Sequence, residues 1–557
     1  MAAHAQNKLQ RFGVMTHFAQ GWDPALTPLV AQASIGSVRD ELYWDVVEAK
    51  KGKYVFPPRY ENYMKMLREQ QISPLIVLSF ENRNYDSGQT PYTNEGFNGY
   101  ADYAVNVLSH YGKQIEAVEV WNEYNGSFCK GPATHDRADT YLKMLKTAYT
   151  RIKETRPDVM VAGGATIGIP SPYWEELLAN GALSSMDVVS VHPYRYNTPP
   201  EGLENEIAGL ETMIKKYNRG QPKPIWVTEI GWGTKKSEAP GDLSIDETTQ
   251  AKFLVRAYAL LLSAHVERVY WYLLRDYEHF SMGLLHEDQK RTPKKDYTAM
   301  ATMTRQIGNA EFIQRESSSF ELYSLLFKDP SGKDLRIVWS LKPITISANG
   351  VVDAVDMLGA EIKDLHRLQI GDAPIFVSGP LTGLPPAEAT MQAVLADSNR
   401  DFGATQGGNG WSYGIFLDSG TNFTALQNFN ITDWKKEWTG IFPYLSITSN
   451  DQHPSTDGTT PVVAVRRWES NYDGEVRLSG EFRCSTQGDG VGVRILVDGE
   501  ALFRKIIGGG NSIVEKFDVV RAIKKGTRID FAVDPGPGEN IDYDATNFSV
   551  TISANSS

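Results

Sequence analysis

With 557 residues, 41% hydrophobic and 11% aromatic, the chain is too long for one domain and apolar enough to exclude disorder as its main state. A net charge of −12 argues against nucleic acid or another polyanion held on a broad basic surface. No run approaches the roughly 18 consecutive apolar residues that a membrane-spanning helix needs.

The N-terminus, Met1-Ala2-Ala3-His4-Ala5-Gln6, has neither a basic segment nor an apolar run. Ala3-His4-Ala5 does have the small-x-small form that precedes a signal cleavage point. The expectation is a secreted or periplasmic protein whose signal was trimmed and a start Met added; a cytoplasmic location is the alternative. Short Val/Ile-rich runs then follow at Arg11–Phe18, Ile35–Arg39, Pro74–Phe80, Ala117–Trp121, Val159–Gly163, Val188–His192, Ile225–Glu229 and Arg268–Leu273. They are continuous rather than alternating, as expected of parallel strands covered on both faces. Between them lie amphipathic stretches such as Asp136–Glu154, Glu204–Lys216 and Glu247–Ala264, the last preceded by the capping-box spacing Ser244…Glu247. The alternation predicts an α/β architecture, a (β/α)₈ barrel over residues 10–305. An open doubly wound sheet would concentrate its polar residues at one switch point, whereas here they recur at nearly every strand end.

Helical periodicity then fades. Residues 306–380, with Phe320–Phe327 and Leu335–Leu341, predict a small β-sandwich packed on the barrel, and Gly379–Ala387 reads as a linker. Residues 388–557 predict a C-terminal, carbohydrate-binding-like β-sandwich. Its signals are the Gly-rich stretch Gly403–Gly414, a strand pair Val476–Cys484 and Val491–Leu496, and a hairpin turn at Asp498-Gly499. The only two cysteines, Cys129 and Cys484, fall in different predicted domains, so a disulfide between them is not expected.

Barrels carry chemistry at the C-terminal ends of their strands. Here those ends hold His17, Arg39, Trp121-Asn122-Glu123, His192-Pro193-Tyr194, Glu229 and Trp271. If Glu123 and Glu229 meet across the mouth, they form the facing pair of carboxyls that acetal cleavage needs: one donates a proton to the leaving oxygen, the other meets the developing cation.

Trp121-Asn122-Glu123 resembles the Asn-Glu motif after the fourth strand of glycoside hydrolase clan A. Thr228-Glu229-Ile230-Gly231-Trp232 resembles that clan's nucleophile motif after the seventh. Within the clan, residues 10–305 most resemble family 39, the β-xylosidases, α-L-iduronidases and some exopolysaccharide hydrolases. Supporting segments are Asp187–Tyr194, Arg268–Trp271 and Gly283-Leu284. The resemblance implies a retaining O-glycosidase acting on an oligo- or polysaccharide, with Glu123 as acid/base and Glu229 as nucleophile. The carboxyls of such a pair lie about 5–5.5 Å apart. Glu123 is expected to be kept protonated by partial burial and the neighbouring carboxylate, and Glu229 ionised by Arg39.

Asn122 would bond the hydroxyl beside the anomeric carbon, His17, His192 and Tyr194 would touch substrate or nucleophile, and Trp271 would floor the glycon pocket. Trp44, Trp232 and Arg195 are further candidates for the cleft, or else packing residues. The polar-aromatic loop Glu81–Gly99, with Asn82, Asn84, Tyr85 and Tyr92, would shape substrate choice. No metal or organic cofactor is implied. His17 and His192 could belong to a metal-dependent barrel hydrolase, but no His-x-His pair or third ligand stands out. In the last domain, Trp411, Tyr413, Trp434, Trp438 and Trp468 are either a sugar platform or core. Asp534–Asp544 is a Ca²⁺ candidate without ordered ligand spacing. A transglycosylase using the same residues and a catalytically inactive carbohydrate binder stay open as alternatives; the sequence is silent on glycon, linkage and oligomeric state.

Overall fold

The computed structural model divides into two compact units, Met1–Glu388 and Ala389–Ser557. It describes residues 8–554 apart from 196–197, 236–244, 279, 318–320, 382–383, 385–393, 400, 418–419, 432–435, 485–486, 512 and 539. Ala3-His4-Ala5, Ser244, Trp434 and most of the linker segment lie outside the described residues.

In the first unit eight parallel strands close into a barrel: β1 (Phe12–Met15), β2 (Ser37–Tyr43), β3 (Ser73–Ser79), β4 (Ala117–Val120), β5 (Met160–Ile167), β6 (Val188–His192), β7 (Ile225–Ile230) and β8 (Arg268–Trp271). Strand periodicity sends alternate residues inward. Leu75, Ala117, Ala162, Val188, Trp226 and Tyr270 thereby pack into one interior cluster. Gly13 is what admits the Tyr270 ring, since a Cβ there would lie 2.3 Å from Tyr270 Cδ1. Helices cover the outside. The helix Arg137–Thr155 buries Tyr141, Leu142, Met144, Leu145, Ala148 and Ile152, an i/i+3/i+4 stripe. Its Tyr141 hydroxyl donates to Val120 O at 3.0 Å and accepts from Gly164 N at 2.7 Å, clamping the mouth ends of β4 and β5. Helix Glu247–Ser263 is capped by Asp246, which accepts from Thr248 N and Thr249 N; Ser244 of the expected capping box lies outside the described residues.

After the barrel come β9 (Glu311–Arg315), β10 (Leu322–Lys328), β11 (Asp334–Ser340), β12 (Ile344–Ser347), β13 (Asp353–Asp356), β14 (Arg367–Ile370) and β15 (Ile375–Ser378). They form an antiparallel five-stranded sheet, β13-β15-β11-β10-β9, and a β12-β14 pair. Phe312, Phe327, Ile337 and Phe376 join the same apolar cluster as the barrel's outer face. The contact is pinned by Arg256, which grips Glu201 through Nε at 2.7 Å and Nη2 at 2.5 Å, while Trp339 Nε1 donates to Glu201 Oε1 at 3.0 Å.

The second unit is built from two antiparallel sheets. Asp498-Gly499 makes the expected tight hairpin, with φ of +48° and +87°. Gly474–Arg483 and Val491–Val497, however, do not pair with each other. The first pairs with Val514–Ile523 and Thr546–Ala554; the second pairs with Glu500–Ile507 and Arg528–Asp534 in the other sheet. Adjacency in sequence misled here because the intervening loop crosses between sheets. Trp411, Tyr413, Trp438 and Trp468 are at most 4% exposed and lie in the sandwich core, so they offer no sugar platform. Among the described residues no helix is long and apolar enough to cross a membrane.

Candidate active site

The mouth of the barrel is organised around one buried guanidinium. Arg39, 1% exposed, donates from Nη1 to Glu229 Oε1 at 2.5 Å, from Nε to Glu119 Oε2 at 2.7 Å and from Nη2 to Asn122 Oδ1 at 2.7 Å. Parity explains why these groups converge: Arg39 on β2 and Glu119 on β4 are inward positions just above the apolar interior layer. Glu229 arrives differently. The register of β7 against β8 slips between Val227 and Ile230, and this bulge lets Thr228 and Glu229, consecutive residues, both serve the mouth.

Glu229 is 6% exposed. Burial alone would raise its pKa, but the charges of His192 and Arg39, with hydrogen bonds from Tyr194 and Arg39, overcome burial and hold it below the ordinary carboxylate value. Tyr194 contributes its hydroxyl, 2.7 Å from Glu229 Oε2. The nucleophile candidate is thus ionised, with both oxygens held.

Glu123 faces it from the end of β4. Trp121 and Glu123 take φ of +67° and +47°, a conformation that non-glycine residues seldom adopt. Glu123 N donates to Ala165 O at 2.8 Å, at the bulge where β5 slips register between Gly164 and Thr166. His192 joins the two carboxylates: Nδ1 lies 3.0 Å from Glu123 Oε1 and 3.9 Å from Glu229 Oε2, and Nε2 lies 3.0 Å from Thr228 Oγ1. Burial pulls the His192 pKa down, but Glu229's charge and Glu123's hydrogen bond more than compensate and raise it. One ligand atom each from Glu123, His192 and Glu229 lie within 4.8 Å of one another, the only such triple among the described residues. That spacing would suit a cation, yet Arg39 and Tyr194 already occupy both Glu229 oxygens, and a guanidinium at 2.5 Å repels a second positive charge.

His17 stands at the other side of the mouth. Its Nδ1 is 2.9 Å from Gln20 Nε2 and 3.6 Å from Glu41 Oε2, and its ring meets Trp22 edge-on at 5.0 Å and Tyr272 at 6.1 Å. Burial lowers its pKa, and Glu41, Asp40 and Glu229 together raise it above the ordinary value.

Trp271 corrects the sequence-based expectation. Inward parity on β8 belongs to Tyr270 and continues to Tyr272, so Trp271 points outward. It is fully buried, its Nε1 donates to Met282 O at 2.8 Å, and its ring lies 6.0 Å from Trp232. It cannot floor a sugar pocket. Tyr272, half-buried and within ring contact of His17 and Tyr194, is the aromatic residue that faces the site. Strand parity at Tyr270 was the signal that could have found it.

The further cleft candidates are supports. Trp232 donates to Thr198 O at 2.8 Å, Arg195 is tied to Pro199 O, Pro200 O and Glu206, and Trp44 donates to Glu48 Oε2 at 2.7 Å. In the loop after β3, Asn82, Asn84 and Tyr85 all bond Glu48, which anchors the loop, while Tyr92 is 38% exposed. Glu41, Glu119, Thr228 and Tyr272 were not singled out from the sequence.

Residues 93–293 match the sequence profile of the glycosyl hydrolase catalytic core. No curated protein matches the sequence. Among solved structures, a family 39 glycoside hydrolase from the gut symbiont Bacteroides cellulosilyticus WH2 shares 23% identity over 67% of this chain and 82% of its own, with a TM-score of 0.57. A family 39 β-xylosidase from Caulobacter crescentus shares 16% identity over 67% of this chain and 96% of its own, with a TM-score of 0.50. These likenesses are of fold. Over residues 93–293 the barrel thus matches the glycosyl hydrolase catalytic core, on a fold shared with these two family 39 enzymes.

Proposed function

We propose that the protein is a retaining O-glycoside hydrolase working by double displacement on an oligo- or polysaccharide, with Glu229 as nucleophile and Glu123 as acid/base. The observation that carries this reading is the approach of Glu123 and Glu229 carboxyl oxygens to within 4.8 Å. So close an approach is in keeping with retaining pairs, at about 5–5.5 Å, and falls short of the about 6.5–9.5 Å at which an inverting path places a water between the carboxyls.

In the first step the ionised Glu229 attacks the anomeric carbon while Glu123 gives its proton to the leaving oxygen. Arg39 has taken Asn122 Oδ1, which leaves the Asn122 amide nitrogen to donate to the hydroxyl beside the anomeric carbon, where bonds tighten as the oxocarbenium ion develops. Esterification removes the charge of Glu229. Glu123, then a carboxylate beside the His192 imidazole, draws a proton from the incoming water, whose oxygen bonds the anomeric carbon as the bond to Glu229 breaks and its carboxylate is released.

Glu229→Ala should lower turnover of nitrophenyl glycosides by several orders of magnitude while sugar binding persists. A proton NMR time course should show the first-formed sugar with the anomeric configuration of the substrate. Net inversion, or undiminished turnover by Glu229→Ala, would overturn the reading. The same residues would serve transglycosylation, which addition of acceptor alcohols separates by product analysis.

A further inference from the structure

We infer that Phe128 and Ile167 form a subsite for the leaving group: the ring that departs from the anomeric carbon, the next sugar of an oligosaccharide, lies with its C–H face on the open face of Phe128. The inference rests on the glycosidase reading above and adds to it that the bond cut joins two rings.

Large apolar side chains are exposed on one side of the barrel only. Among the described residues from Phe12 to Ile307 they are Val55, Tyr92, Phe128 and Ile167, and each stands at or beyond the mouth end of β2, β3, β4 or β5. Apolar residues scattered singly over a surface need no explanation, whereas a set confined to the rim of a cleft marks where a ligand lies. Two of these side chains flank the acid. Phe128, 37% exposed, lies on the tight turn that begins at Glu123, in which Gly126 N donates to Glu123 O at 2.8 Å and Cys129 N to Gly126 O at 3.2 Å. Ile167, 39% exposed, is the last residue of β5 and lies across the same turn. Asn125 holds it there, donating from Nδ2 to Ile167 O at 3.1 Å and accepting from Ile167 N at 3.0 Å. Gly126 makes room for it, since a Cβ at that position would meet Ile167 Cδ1 at 2.3 Å.

The Phe128 ring is fixed in place. Phe80 stacks on it at 5.1 Å with the two planes 5° apart, and Phe80 in turn meets Trp121 edge-on at 5.6 Å. Trp121 Nε1 donates to Phe128 O at 3.2 Å, and Lys130 N donates to Thr90 Oγ1 at 2.8 Å, so the turn is tied on both sides of the ring. With Phe80 on one face, what Phe128 offers to solvent is the other face and an edge. A ring already immobilised loses little freedom when a ligand stacks on it, and its flat apolar plane suits the C–H face of a pyranose. The chemistry sets the direction. Glu229 on β7 meets the anomeric carbon, while Glu123 at the end of β4 protonates the oxygen that leaves. The departing ring therefore lies at Glu123 and away from Glu229, beside the turn that carries Phe128 and against which Ile167 packs.

The test compares glycosyl fluorides with nitrophenyl glycosides of the same sugars, xylose, glucose and galactose in both anomers, using the full chain, Phe128→Ala and Phe128→Trp. Fluoride leaves as a single atom and reaches neither side chain; the nitrophenyl ring stands in for the departing sugar. On the glycon that the wild type turns over fastest, Phe128→Ala should lose about tenfold in kcat/KM on the nitrophenyl glycoside, the worth of one ring contact. Its hydrolysis of the matching fluoride should stay within about twofold of wild type, which also shows that the variant is folded. Phe128→Trp, which keeps a flat face, should retain most of the nitrophenyl turnover. Equal losses on the fluoride and the nitrophenyl glycoside, or no loss on either, would overturn the subsite alone. A wild type that cleaves no member of either series, or one that inverts, would overturn the glycosidase reading beneath it.

Discussion

Replacing Arg39 by Met tests the electrostatic design of the site most directly. The substitution keeps an unbranched apolar stem and removes the charge with the guanidinium. It leaves Glu119 and Glu229, at 0% and 6% exposure, without their shared cation. Two charge-assisted hydrogen bonds at about 1.5–3 kcal/mol each give the same range as breaking a buried ion pair from one side, about 3–5 kcal/mol. A domain with about 5–15 kcal/mol of stability survives that loss, so the variant should fold. Its pH dependence carries the diagnosis. In the wild type Glu229's lowered pKa contributes stability above the ordinary carboxylate value, lost as pH falls through the folded value. Without Arg39 burial dominates, the pKa rises, and protonation relieves the variant. Urea unfolding of both proteins from pH 8 to pH 4 should show a gap that is widest at neutral pH and narrows toward acid. The acidic limb of kcat/KM should move to higher pH in parallel. A gap independent of pH, or an acidic limb that stays put, would refute the claim that Arg39 holds Glu229 ionised.

Two further outcomes separate packing from chemistry. Trp271→Ala should cost about 3–5 kcal/mol of stability as a large core deletion with little change in KM, whereas Tyr272→Ala should chiefly raise KM; the reverse pattern, from thermal melts and initial rates, would return Trp271 to the pocket. In the second unit, burial and then the carboxylates of Asp489, Asp542 and Asp534 push Asp544 up to about 8, so wild-type stability should fall as pH rises from about 4 to 8. Asp544→Asn should be more stable than wild type by about 1–3 kcal/mol at pH 8.5 in chelator and by much less at pH 5, and an equal gap at both would be evidence against that crowding.

The eight barrel strands were legible because each is a short apolar run ending in a polar residue, and burial on both faces leaves that mark on a linear chain. The β-sandwich class of the last third was equally plain, from turn residues at close intervals, but which strands pair was not: Gly474–Arg483 and Val491–Val497 are neighbours in sequence and members of opposite sheets.

At the site, the chain itself specified Glu123, Glu229, Arg39, His192 and Tyr194, since charged and polar residues at the ends of apolar strands have few structural uses. Only folding decided which of them touch. Ladder slips at Val227–Ile230 and Gly164–Thr166 turn Glu229 inward and give Glu123 N its acceptor, and neither slip has a signature that a period of two could show. The same period misassigned Trp271 because motif position was followed where face should have been: inward direction on β8 passes through Tyr270 and Tyr272. Glu41 stayed hidden for a related reason. A lone Glu in a strand reads as solvated until three dimensions bury it at the mouth, with one of its oxygens closed off from water. Composition and periodicity report what each residue does to its own segment; the chemistry here belongs to distances between segments, and those exist only once the barrel has closed.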